Sequence, residues 1–126
     1  TEEEAKALWI DKPRVTYVAL ESGRVVGTYY LKTNQPGLGS HVCNAGYMVH
    51  PGNRGRGLGR EICAHSLDEA RQLGFMAMQF NLVVSTNEGA IRLWQDMGFK
   101  TVGTLPKAFD HATRGLVDAL VMYRWL

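Results

Sequence analysis

Two cysteines in 126 residues, Cys43 and Cys63, are too few for a disulfide framework, and both fall inside runs that read as regular elements. That points to a reducing compartment, and the expected location is the cytoplasm. No stretch of about eighteen apolar residues occurs, and no charged-then-apolar leader, which argues against a membrane span or a signal peptide. Charge of either sign is nearly balanced: 14 Lys+Arg against 12 Asp+Glu leave a formal net charge of +2. A broad basic footprint for nucleic acid is therefore lacking, and the acids of "EICAHSLDEA" interrupt the arginines of residues 54–60 before they can form a stripe. His41 and Cys43 alternate on one strand face without two further ligands at metal spacing, so no metal is expected. Internal repeats and low-complexity tracts are also missing.

What is present suits one core. The chain is 45% hydrophobic and long enough for a single domain over residues 1–126. It starts at Thr1, and "TEEEAKALW" reads as the later turns of a helix already under way. Two β-rich runs, Arg14 to Glu21 and Arg24 to Lys32, flank Ser22-Gly23 and predict a hairpin. A polar loop from Thr33 to Ser40 leads into the strand "HVCNAGYMVH", which Pro51-Gly52 ends. From Leu58 to Leu73 the residues Leu58, Ile62, Cys63, Leu67, Ala70 and Leu73 share one helical face, with Gly74 as the stop. "FMAMQFNLVV" predicts a strand with Met76, Met78, Phe80 and Leu82 on its apolar face and two amides, Gln79 and Asn81, on the other. A second helix carries Ala90, Leu93, Trp94 and Met97 on one stripe and closes at Gly98. Two last β runs flank a polar loop predicted from Lys107 to Arg114. The order helix–β–β–β–helix–β–helix–β–β indicates a mixed α/β (α+β) fold.

The most informative stretch is "VHPGNRGRGLGREI", with four glycines and three arginines between a strand and a helix. Unpaired amides at a helix start, the positive end of its dipole and glycines that admit a ligand together form a phosphate cradle. Walker A fails because Gly59 is followed by Arg60-Glu61, not by lysine and a hydroxyl residue. The dinucleotide fingerprint fails because its third glycine position falls on Ile62 or Arg60. Arg54-Gly55-Arg56-Gly57-Leu58-Gly59 does match Arg-x-x-Gly-x-Gly.

That hexapeptide resembles the diphosphate turn of the GNAT superfamily of acyl-CoA N-acyltransferases, and "TNEGAIRLWQDMGFKTVG" is similar to the superfamily's second signature. The resemblance runs from about Val15 to the end. It implies a mixed sheet splayed at a cofactor cleft and flanked by helices, with the family's first strand and helix missing in front, so that the domain is read as N-terminally incomplete. It implies acetyl-CoA as co-substrate, its diphosphate held by the amides of Gly55, Gly57, Leu58, Gly59 and Arg60 with Arg54 or Arg56 as charge partner. Met48 and Val49 are expected to pair by backbone with the pantetheine arm, and Asn87 either to bond the pantetheine amide region or simply to cap a helix. The Val49 N–H is the expected oxyanion donor.

Two departures matter for the chemistry. Trp94 stands where many relatives place an acidic tyrosine, and Asn44 stands near the position of the usual glutamate base. An indole is too weak an acid and an amide is no base at neutral pH, so Asn44 is expected to orient substrate or water. The stretches "GTYYLKTNQPGLGSHVCNAGY" and "FNLVVSTN" look like a narrower subgroup acting on proline analogues such as azetidine-2-carboxylate, in which residues matching Asn44 and Asn81 line the acceptor site. The reading is an N-acetyltransferase acting on a small amine or amino acid. Its alternatives are a non-catalytic acyl-CoA-binding module and an acetyltransferase for protein N-termini or lysines. Neither nucleic acid nor membrane is an expected partner. A homodimer is an expectation from the family, and His111 is a minor candidate proton acceptor.

Overall fold

The structure, a computed structural model, describes residues 1–6, 14–55 and 57–126. Its elements run α1 (Glu2–Lys6), β1 (Val15–Glu21), β2 (Arg24–Thr33), β3 (Val42–Val49), α2 (Leu58–Gln72), β4 (Ala77–Val84), α3 (Glu88–Asp96), β5 (Lys100–His111) and β6 (Gly115–Trp125). Of the helix expected at the front, α1 is seen and residues 7–9 lie outside the described residues. The hairpin between β1 and β2 turns on Ser22 and Gly23, both left-handed (φ 51° and 78°), the backbone that a tight two-residue hairpin demands.

Among the described residues the six strands form one sheet in the order β1-β2-β3-β4-β6-β5. Only the β3–β4 contact is parallel, and it is short. Val42, Cys43 and Asn44 pair with Ala77, Met78 and Gln79, after which the strands part, although β3 runs on to Val49 and β4 to Val84. The fold is the mixed α/β sheet expected, open at that point.

Helices α2 and α3 lie on one face. There Ile62, Cys63, Leu67 and Ala70 of α2 bury against Tyr29, Leu31, Cys43 and Ala45, while Phe80 and Phe99 meet Trp94 of α3. Gly27 allows the close approach of α2, since a Cβ there would sit 2.6 Å from the Ile62 Cδ1. Burial pushes the Cys43 thiol up to about 12 and the Cys63 thiol up to about 11, so both stay protonated and serve as small apolar side chains.

Two expectations need correcting. The strict alternation along β4 breaks at a bulge: pairing with β6 shifts between Phe80 and Val83, so Val83 is buried and Leu82 is exposed, as is Met76 just before the strand. The predicted loop from Lys107 to Arg114 is mostly strand. β5 continues to His111 past an irregularity between Leu105 and Phe109, where left-handed Lys107 (φ 53°) donates its N–H to Asp118 Oδ1 at 3.0 Å. His111 closes the turn, its Nδ1 accepting from the Thr113 and Arg114 amides at 3.2 Å.

Candidate functional site

The parting of β3 and β4 opens a cavity of about 480 Å³. Tyr47, Phe80 and Trp94 reach it from the helix-bearing face, and Tyr30, Lys32, Asn44 and Asn81 from the opposite face, so the space passes through the sheet. A second cavity of about 450 Å³ lies over the glycine-rich turn between the starts of α2 and α3, lined by Val49, Arg54, Gly55, Gly57 and Leu93 among others. Ala90 of α3 borders both.

The turn is built to leave its amides unspent. Gly57 is the N-cap of α2 in the left-handed region (φ 79°) and has no side chain to cap the helix. The first helical bond runs from Glu61 N to Gly57 O, so the N–H groups of Gly57, Leu58, Gly59 and Arg60 lie in the helix start that has no intrahelical acceptor. Gly55 is also left-handed (φ 77°), and a Cβ on Gly55 or Gly57 would meet nothing within 4 Å, so the space above them is open to a ligand. Gly59 is different: its Cβ would lie 3.1 Å from the Leu93 Cδ2, and its bareness serves the α2–α3 contact. Arg60 turns its guanidinium to Asp96 at 3.2 Å, leaving its backbone alone to serve the turn. Arg54 is exposed beside the cavity, and Arg56 lies outside the described residues. These features fit a diphosphate.

Backbone polarity along β3 follows from the ladder with β2. Asn34 N bonds Val42 O and His50 N bonds Val26 O, so the hydrogen-bonded pairs are the even-numbered ones, including Met48 with Thr28. The alternating residues Tyr47 and Val49 turn their N–H and C=O away from β2, toward the gap that β4 has left. Met48 was expected beside Val49 in pairing with an extended ligand arm, but its groups are engaged with β2; the register leaves those of Tyr47 and Val49 facing the gap.

Asn44 is buried at the last paired position of β3, its Nδ2 donating to Gln79 O at 3.0 Å and stitching the two strands where they separate. Its Oδ1 is left for the cavity. Gln79 donates to Asn81 Oδ1 at 3.0 Å and Asn81 to Asn34 Oδ1 at 2.8 Å, a relay that ties the loop after β2 to β4 and accounts for the two amides. Trp94 sits 4.8 Å from Phe80 and 5.0 Å from Tyr47 between ring centroids, in packing contact, as its replacement of tyrosine suggested. Tyr47 shares a 2.6 Å hydrogen bond with buried Ser66, and burial raises its pKa well above the usual phenol value, so it remains neutral. Lys32 and Asn34 went unnoticed in the sequence; pairing β2 antiparallel to β3 would have placed Lys32 opposite Asn44. Among the described residues no group of three His, Cys, Asp or Glu is placed to hold a metal ion, and no helix is long and apolar enough to cross a membrane.

Asn87 caps α3, its Oδ1 accepting from Ala90 N at 3.1 Å, and its NH₂ group remains beside the cavity. Asn87→Ala is expected to cost about 1 kcal/mol in a urea melt, whereas Asn87→Ser should keep most of the cap. A loss of coenzyme affinity that persists in the serine variant would then report the NH₂ contact alone.

The family model described as acetyltransferase (GNAT) family matches residues 1–99. N-acetyltransferase aca1 of Schizosaccharomyces pombe is 39% identical over 98 residues, 77% of this chain and 47% of that protein, so the chain spans about half the length of this curated relative. A GCN5-related N-acetyltransferase from Kribbella flavida superposes with a TM-score of 0.92 at 45% identity, covering 100% of this chain and 77% of that one. The protein yncA from Salmonella typhimurium, solved with its cofactor acetyl-CoA, superposes with a TM-score of 0.80 at 29% identity, over 98% of this chain and 69% of its own. On a family model that matches residues 1–99, and on a fold shared over its whole length with a solved N-acetyltransferase at 45% identity, the chain belongs to the acetyltransferase (GNAT) family.

Proposed function

We propose that the chain transfers the acetyl group of acetyl-CoA to the amine of a small molecule or amino acid, by direct attack with both substrates bound. The observation that carries this reading is the cavity through the parted strands, bordering at Ala90 the cavity over the glycine turn. A long cofactor laid across the turn has its reactive end at the gap, and an acceptor can reach that end from the opposite face. Acetyl-CoA, when bound, supplies an activated thioester. The amides of Gly55, Gly57, Leu58, Gly59 and Arg60 hold its diphosphate, with Arg54 or Arg56 in support. The Tyr47 N–H, directed into the gap and bordering the same cavity as Asn44, receives the negative charge that builds on the acetyl oxygen, while Val49, five residues and so about 16 Å from Asn44 along the strand, pairs with the pantetheine arm. Asn44 Oδ1 accepts from the acceptor amine and aims its lone pair at the carbonyl carbon. A C–N bond forms and the C–S bond breaks. The acceptor ammonium gives up one proton to water before attack; a second leaves the nitrogen after it, and the departing thiolate takes up one proton. With no carboxylate at Asn44 and no phenol at Trp94, water carries the protons.

The test is thiol release from acetyl-CoA over a panel of amino acids including azetidine-2-carboxylate and proline, simple amines, and peptides with free N-termini and lysines. Turnover on small amino acids is expected, and azetidine-2-carboxylate among the better acceptors would support the narrower proline-analogue reading. Tight coenzyme binding with no thiol released on any amine would mark a binding module instead. Turnover confined to peptides would overturn the small-acceptor reading.

A further inference from the structure

Among the described residues the acceptor end of the cavity has one formal charge, and it is positive. Lys32 lines it from β2, directly opposite Asn44 in the β2–β3 register and on the same face of the sheet. Its Nζ is steadied over the Tyr30 ring at 5.6 Å, and no ion pair to a described carboxylate holds it. Among the described residues no Asp or Glu lines this cavity. A site whose substrate is an amine, and therefore arrives as an ammonium ion, would ordinarily offer a carboxylate. Here the arriving cation meets another cation.

We propose that Lys32 is a specificity-determining residue that selects acceptors bearing an anionic group, such as an α-carboxylate, beside the amine. This rests on the acetyl-transfer reading above and names the class of its acceptor. An amine with no anion brings like charge against like and binds poorly. A zwitterionic amino acid sets its carboxylate on Lys32, with Asn81 on the same face as a neutral partner, and presents its nitrogen to Asn44. Lys32 then does a second job. By neutralising the carboxylate it removes the attraction through which that group holds the substrate's own ammonium in the charged form, so the proton passes to water more readily. This is the help an enzyme without a glutamate base requires. Polyamines, lysine side chains and peptide N-termini distant from any carboxylate are disfavoured by the same field.

The test compares kcat/KM for L-proline, L-alanine and L-methionine with that for their carboxamides, in the wild type and in Lys32→Met, Lys32→Gln and Lys32→Arg. The wild type is expected to prefer the acids, and Lys32→Met to lower that preference about 10- to 100-fold, mainly through KM for the acid, with arginine restoring part of it. Comparing variants on the same substrates cancels the different basicities of acid and amide. Lys32→Gln supplies the same reading if the methionine variant folds poorly. An acid-to-amide ratio that does not move on losing the charge overturns the assignment while leaving acetyl transfer intact. Binding of the N-acetyl amino acids, measured by calorimetry without turnover, separates the two claims: binding that weakens in Lys32→Met supports the lysine contact even if thiol release fails, and binding indifferent to Lys32 sinks it.

Discussion

Replacing Gly57 with aspartate should weaken acetyl-CoA binding by about 100-fold or more and leave the domain folded. The magnitude comes from at least two charge-assisted hydrogen bonds from the head of α2, each worth about 1.5–3 kcal/mol, with the repulsion of a carboxylate seated against the diphosphate added to them. Fold survival follows from the same position. Aspartate is a favoured N-cap, and its carboxylate would accept from the amides of Gly59 or Arg60, which the native cap leaves free. The left-handed backbone at φ 79° costs a non-glycine residue about 1–2 kcal/mol, less for aspartate than for most, and the cap offsets part of that. Gly57→Ala separates strain from competition, because it keeps the strain and adds no acceptor; its loss of affinity should be modest. Calorimetric titration with acetyl-CoA and a thermal melt of each variant check both halves. An aspartate variant that binds the coenzyme like the wild type would show that the diphosphate is held elsewhere.

Features governed by a few neighbouring residues were legible in the sequence, and features governed by partners far along the chain were not. Ser22-Gly23, Gly74 and Gly98 marked a hairpin and two helix ends because left-handed backbone is a local demand. The turn at Gly55 and Gly57 was legible for the same reason. The bulge that exchanges Leu82 for Val83 depends on how β4 registers against β6, some forty residues later, and nothing in "FMAMQFNLVV" announces it. Met48 was misread beside Val49 because the direction of a strand's amides is decided by which of its residues bond the neighbouring strand. Lys32 has no motif. Its meaning arises only from standing opposite Asn44 in a cavity that no described acid lines, a property of the sheet and not of the strand. Asn44 and Asn81 were singled out as acceptor-site candidates by family resemblance alone; what the sheet adds is that, through hydrogen bonds to Gln79 and Asn34, they hold the cavity's walls.

Phe80→Ala should cost about 3–5 kcal/mol, the largest stability loss expected from a single side chain near the site. Phe80 is 4% exposed; its ring stacks on Phe99 at 4.1 Å between centroids, lies 4.8 Å from Trp94 and meets Tyr47 edge-on at 5.7 Å. It is also the last residue of β4 in register with β6 before the bulge, paired with Met122. The deleted ring therefore loses its transfer energy and leaves a cavity beneath α3 that backbone held in a ladder cannot collapse to fill. Against a total stability of about 5–15 kcal/mol, a fall of roughly 10–25 °C in Tm is expected, with Phe80→Leu between the extremes. Function is tied to the same contact, because Trp94 holds the helix whose start carries Asn87 and whose Ala90 borders both cavities. Saturating acetyl-CoA raises Tm by mass action wherever the site persists. A Phe80→Ala variant that folds but gains nothing from the coenzyme would mean that α3 has come away from the sheet, and that the aromatic cluster holds the cleft as well as the core. A loss below about 1 kcal/mol in a urea melt would instead show that α3 is seated by something other than these rings.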